Sequence, residues 1–178
     1  MRFKSWLISL FIIFLFLSFY GVFAQSKTAK YIGANKCKMC HNSKKSGQQF
    51  KIWQSSAHAK AYRELTSEKA NAVAQELGID NPQTSEKCLK CHGTTGGKDL
   101  KLVKEGVGCE NCHGPGSLYK SMKVMKDIAT GKTKPEDFGM IKAGEEQCKE
   151  CHNQNSPTYK EFDFKTFWAK IAHPRPTE

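Results

Sequence analysis

The chain has 178 residues, 39 % of them hydrophobic, and a formal charge of +11 from 28 Lys and Arg against 17 Asp and Glu. That length allows one domain, but apolar residues are sparse beyond the N-terminus, which excludes an ordinary hydrocarbon core. The basic balance alone would suit a nucleic-acid surface; the motifs described next account for it differently.

Met1-Arg2-Phe3-Lys4 is a short basic start, followed by an apolar run from Trp6 to Phe23 broken only by Ser9, Ser18 and Gly21. Val22-Phe23-Ala24 before Gln25 fits small-residue cleavage, so residues 1–24 read as a secretory signal peptide, with an uncleaved membrane anchor as the alternative. Both readings put residues 25–178 outside the cytoplasm, as a periplasmic or similarly exported domain.

Tyr31-Ile32-Gly33 leads into Cys37-Lys38-Met39-Cys40-His41. Ser46 then caps a helix expected from about Gln48 to Leu65, with Phe50, Trp53, Ala57, Ala61 and Leu65 as its apolar stripe and His58 at the edge. Thr66-Ser67 opens a second helix through Leu77, stopped by Gly78, and Asn81-Pro82 turns the chain into Cys88-Leu89-Lys90-Cys91-His92. Residues 93–108 hold five glycines and read as a loop with at most one small strand, over Leu100–Val103. Glycines there would let backbone approach a flat ligand closely.

Cys109-Glu110-Asn111-Cys112-His113 sits in a glycine frame from Gly106 to Gly116. Ser117 caps a third helix with Leu118, Met122, Met125 and Ala129 on one face and Gly131 as its stop. A turn at Thr133-Lys134-Pro135-Glu136-Asp137 precedes Cys148-Lys149-Glu150-Cys151-His152. The tail from Phe162 begins like a strand, becomes helical at Phe167-Trp168-Ile171, and ends His173-Pro174-Arg175-Pro176.

Cys-x-x-Cys-His is the attachment site for c-type haem. One helical turn puts i, i+3 and i+4 on a common face, so two sulfurs can form thioethers while the adjacent imidazole meets the iron. All eight cysteines fall in the four motifs. Four-cysteine zinc sites or disulfides would use the cysteines too, yet neither requires the histidines. With six histidines in the chain, a given position holds one about once in thirty, so four of four by chance is about one in a million. The expectation is therefore four covalently bound haem c groups, with His41, His92, His113 and His152 as proximal iron ligands.

Haem explains the composition. A chain of this size has a radius of gyration of roughly 15 Å, so four macrocycles cannot be kept apart and must themselves form the core. Loss of Arg2 and Lys4 with the leader lowers the charge to +9, and eight propionates bring the ferrous protein to about +1. The lysine excess mainly balances haem and leaves a modest basic surface for acidic redox partners, not nucleic acid. The expected fold is mainly α, a compact multihaem cytochrome with little regular β structure.

Only His58 and His173 remain as distal iron ligands, so two haems are expected to be bis-histidine, low-spin and closed to small molecules. Met122 and Met125 read first as a packing stripe. Met122 and Tyr119 are the other candidates for a sixth ligand, and at least one open iron is expected.

With these residues the chain resembles the tetrahaem cytochrome c-554 family, electron carriers from hydroxylamine oxidation in ammonia-oxidising bacteria. The likeness rests on Trp53 followed by His58-Ala59-Lys60-Ala61, on Gly106-Val107-Gly108-Cys109-Glu110 with Cys112-His113-Gly114-Pro115-Gly116, and on the late aromatic segment ending at His173. The resemblance implies haems stacked first with third and second with fourth. It implies His58 opposite His113, His173 opposite His152, and a five-coordinate haem on His92. Relatives carry a histidine soon after Gly-Pro-Gly for the first haem, whereas Ser117-Leu118-Tyr119-Lys120-Ser121-Met122 stands here. Met122 is the nearest substitute opposite His41, or that site is open.

Electron relay between a donor and an acceptor redox protein is the leading function. A small-molecule redox enzyme acting on nitric oxide, nitrite or hydroxylamine at an open haem is second, without the lysine-ligated Cys-x-x-Cys-Lys motif of nitrite reductases. A subunit of an extracellular haem filament is the remote third.

Overall fold

The structure is a computed structural model that describes residues 28–175, and those residues are helix and turn with no strand among them. The expected leader at residues 1–24 lies outside the described residues, and among those described no helix is long and apolar enough to cross a membrane. The helices are α1 (Ala34–His41), α2 (Gln49–Ser55), α3 (Ala57–Glu64), α4 (Glu68–Glu76), α5 (Glu86–His92), α6 (Cys109–His113), α7 (Met122–Ala129), α8 (Glu145–Lys149) and α9 (Phe164–Ile171). The mainly α fold expected from the sequence is the fold observed. The longest of these helices has nine residues, well under the dozen or so that an isolated helix needs in water. Caps and tertiary contacts must hold them.

The single helix expected over residues 48–65 is in fact two. Ser56 is extended (φ −76°, ψ 164°), its hydroxyl donates to Trp53 O at 2.6 Å, and it accepts from Ala59 N–H at 3.4 Å. It thus ends α2 and caps α3, because a serine hydroxyl offers the backbone an alternative to the helical bond. Phe50 and Trp53 therefore face a different neighbourhood from Ala61 and Leu65. Ser46 does not cap; its hydroxyl donates to Ser43 O at 2.9 Å, and α2 begins after a left-handed Gln48 (φ 56°).

Ser67 caps α4 by accepting from Ala70 N–H at 3.1 Å, as the sequence implies. Ser121, not Ser117, caps α7. Ser117 is taken up by a two-way link to Lys30, whose N–H reaches its hydroxyl at 2.7 Å. The run at 100–103 forms no strand, only tight turns at Thr94–Gly97 and Val103–Glu105. The tail likewise starts with an Asp163 cap on Thr166 N–H at 2.8 Å, where alternation had implied a strand.

Among the described residues the polypeptide buries few apolar side chains: Ala34, Phe50, Leu65, Ala74, Leu89, Val103 and Tyr119. Leu65, Leu89 and Val103 cluster with Tyr62 and Cys88 behind the second motif. The glycines of the 93–108 loop serve this packing. A Cβ on Gly106 (φ +74°) would come 2.5 Å from His58 O, and one on Gly93 would strike Val103. The close approaches at these two glycines are to the protein's own backbone and side chains.

One carboxylate ties the two ends of the first half together. Glu110 is 2 % exposed and accepts from the N–H groups of Ile32 (3.0 Å), Gly33 (2.7 Å) and Gly116 (2.6 Å). Beside it Glu105 accepts from Ala34 N–H at 2.9 Å. Burial holds the Glu105 carboxyl above its ordinary range, the Ala34 N–H opposes that rise, and the Glu110 charge adds to it. Replacing Glu110 by Gln keeps the shape but leaves one acceptor oxygen and an unwanted donor. The Glu110→Gln holoprotein is expected to lose about 2 kcal/mol of stability, read as a lower urea midpoint at unchanged slope. A midpoint equal to wild type would mean the N–H groups are held by something else.

Candidate functional site

The four motifs are built alike. The first and second occupy the last turns of α1 and α5, and the third is the whole of α6. The fourth starts on α8 and finishes in the following turn, yet His152 N–H still donates to Cys148 O at 2.9 Å, the helical i→i−4 bond. Each motif therefore has its two sulfurs and imidazole on one turn of backbone. At the third, Gly108 N–H donates to Asn111 Oδ1 at 2.9 Å, which closes the start of α6.

The fold brings the motifs together in pairs. The Cys37 and Cys109 thiols are within hydrogen-bonding reach, which lowers Cys37 and pushes Cys109 up. Cys91 and Cys151 meet in the same way, drawing Cys91 down to about 7. Cys112 is pushed up to about 11 by burial, with Cys148 close enough to add to it. First therefore lies with third and second with fourth, and the third is joined to the segment entering the fourth by Gln147, whose side-chain amide donates to Asn111 O. None of the eight cysteines is paired in a disulfide. Among the described residues no three His, Cys, Asp or Glu side chains converge as a bare-ion site would require.

The six histidines form two close pairs and two separate groups. The rings of His58 and His152 lie 6.1 Å apart, and those of His113 and His173 lie 5.8 Å apart. Two imidazoles on one iron have ring centres about 6 Å apart, from two metal–nitrogen bonds of ~2.0 Å and the half-width of each ring. The donor set therefore fits bis-histidine iron at both places.

The ring neighbours differ from the pairing that the resemblance implies. His58 lies beside His152 instead of His113, and His173 beside His113 instead of His152. Backbone contacts decide this: Val107 N–H holds His58 O at 2.9 Å, and Trp53 Nε1–H holds Val107 O at 2.8 Å. The tail carrying His173 is drawn toward the loop after the first motif.

Burial lowers His58, His113 and His152 from their ordinary values, with His152 adding to the effect at His58 and then His173 and His41 adding at His113. All three favour the neutral imidazole that ligates metal. Phe162 stacks on His152 at 4.7 Å and 13°, with Phe167 at 6.3 Å, so the His152 ring is walled by aromatics.

His92 is oriented by a backbone acceptor. Its Nδ1 lies 2.8 Å from Ala61 O, and a carbonyl can only accept, so the proton sits on Nδ1 and Nε2 is free for iron. The two remaining candidates stand apart. Tyr119 is buried and its hydroxyl proton is shared between Gly114 O (2.6 Å) and His113 O (3.1 Å), which engages it with backbone. Met122 opens α7 with its side chain 78 % exposed. Glu110, Trp53 Nε1 and Gln49 carry positioning roles that no spacing rule singled out. Trp53 and Glu110 stand in the motifs that carry the family resemblance, whereas nothing in the sequence pointed to Gln49.

The family model described as cytochrome c554 and c-prime matches residues 36–114. Cytochrome c-554 of Nitrosomonas europaea is 32 % identical across 70 % of this chain and 58 % of its own. The chain thus spans under two thirds of that relative's length. The solved reduced state of cytochrome c554 from Nitrosomonas europaea superposes with a TM-score of 0.52 at 26 % identity, covering 80 % of this chain and 78 % of that one. With its helical fold, its Cys-x-x-Cys-His turns and these likenesses, the chain belongs to the cytochrome c554 family.

Proposed function

We propose that the chain is an exported tetrahaem electron carrier that relays electrons between a donor and an acceptor redox protein. The observation that supports this best is the meeting of the motifs: Glu110 of the third holds the N–H groups leading into the first, Asn111 O of the third accepts from Gln147 beside the fourth, and α3 sets Ala61 O against His92 and the His58 ring beside His152. Attachment points so close keep four bound groups in one continuous run. Haem c, when bound, supplies an iron that changes oxidation state by one electron. The protein's share is tethering by the eight cysteines and proximal ligation by His41, His92, His113 and His152.

In this reading His58 closes the iron on His152 and His173 closes the iron on His113. A closed, six-coordinate iron changes little on reduction and excludes small molecules, which suits relay. Nδ1–H of His92 donating to Ala61 O makes that imidazole more electron-rich, as second-sphere acceptors do. The basic excess of residues 25–178 offsets the propionates and leaves a weakly basic face for acidic partners.

A second reading is favoured by the supply of histidine. The chain has six, so with four proximal and two distal in this proposal no imidazole remains opposite His41 or His92. Met122, exposed at the start of α7, is the one thioether candidate for the iron on His41, which is otherwise open too. The haem on His92 is then open, and small-molecule redox chemistry such as nitric oxide binding is its natural side activity.

Purified protein is expected to carry four haems per chain by pyridine haemochrome and mass, and a colourless product would end the proposal. Its redox titration is expected to be broader than one Nernst curve, because charge on one iron opposes the next; a single sharp one-electron wave would contradict a coupled relay. Ferric protein is expected to show two low-spin bis-histidine signals beside a high-spin component, and His58→Ala is expected to convert one of the two to high spin. Four bis-histidine signals in the unaltered protein would rule out the ligand assignment.

A further inference from the structure

His173 follows the last turn of α9 on a short tail, and α9 buries none of its residues. Something else must hold the imidazole at 5.8 Å from His113, since a loose ligand loses affinity to the entropy of its tether. The tail's anchor is Gln49, the first residue of α2 and 7 % exposed. Its amide nitrogen donates to Pro174 O at 2.9 Å and to Ser46 O, 125 and 3 residues away in sequence. Both partners are carbonyl oxygens, so only the NH2 end of the side chain can face them.

The same loop shapes the seat. Gly47 (φ +91°) is where a Cβ would come 2.9 Å from the Pro174 ring and 3.3 Å from its carbonyl oxygen. The proline fits because that position is bare. The loop from Ser43 to Gln49 directly follows His41, so the segment that leaves the first motif also grips the tail that serves the third.

We propose that Gln49 is the positioning residue for His173: its amide latches Pro174 and so keeps the distal imidazole on the haem of the third motif. The inference rests on the reading of His173 as an axial ligand. Releasing the latch frees the tail and opens that iron to exogenous ligands, while the pair His58 and His152, held through Val107 and Trp53, is untouched. The first and third sites are thereby linked mechanically as well as by proximity.

The test compares Gln49→Leu, Gln49→Glu and His173→Gly as full-length, haem-loaded proteins, with haem content measured by pyridine haemochrome. Low-temperature EPR of the ferric forms and carbon monoxide stoichiometry of the ferrous forms are the readouts. Both Gln49 variants are expected to lose the same low-spin signal that His173→Gly loses and to bind one more carbon monoxide per chain. The double variant Gln49→Leu with His173→Gly should show no further change.

If His173→Gly loses a low-spin signal while both Gln49 variants keep it, the latch is wrong and the ligand assignment stands. If His173→Gly keeps every low-spin signal, the assignment itself fails and the latch with it. Loss of haem from both Gln49 variants, with His173→Gly fully loaded, also overturns the latch by making Gln49 a residue of the fold.

Discussion

A buried carboxylate surrounded by backbone N–H groups is the constraint on which the arrangement of the first and third motifs depends. Glu110 sits inside the third motif, and its partners Ile32 and Gly33 lead into α1, the first. Its third partner, Gly116, closes the Gly-Pro-Gly turn. A charge this deeply buried is tolerable only because hydrogen-bond donors replace the water it gave up. The N–H groups at the start of α1, which would otherwise be orphans, gain a strong acceptor in return. One side chain thereby sets the separation of two attachment sites that are over seventy residues apart in sequence.

The rest of the molecule follows a similar economy. Helices of nine residues or fewer bring little burial of their own, and the one apolar cluster among the described residues, Leu65 with Leu89 and Val103, backs a single motif. Backbone carbonyls and capping hydroxyls carry much of the positioning. His58 is held through its own carbonyl, His92 through Ala61 O, and the tail through Pro174 O. Main-chain groups are well suited to this because they survive changes of side chain and lose little entropy on being fixed. The imidazoles themselves are kept neutral by burial and by one another, which is the state iron requires.

In the proposed relay the balance of closed and open sites would follow from the supply of histidine. Six imidazoles would complete two of four irons and leave two with one each. The Tyr119 hydroxyl is committed to Gly114 O and His113 O. On that proposal the closed pairs would serve the relay, and an open iron would add a place where a small ligand can report on, or interfere with, the redox centres.

Much of this was legible in the sequence, for a physical reason. Thioether attachment and proximal ligation are encoded within five consecutive residues, and one helical turn suffices to present them. The helical class, the Ser67 cap and the glycine stops were also local and could be read. What the sequence left undetermined was long-range. Ser56 could equally have sat inside one long helix; only the contacts of Trp53 and Val107 make its break the better solution. No pattern in the chain says which proximal histidine faces His58 or His173. The neighbours seen in the structure follow tertiary contacts: Gly106 against the His58 backbone, Val107 N–H on His58 O, and the Gln49 amide on Pro174 O, where backbone approach and a buried amide place rings that are chemically identical.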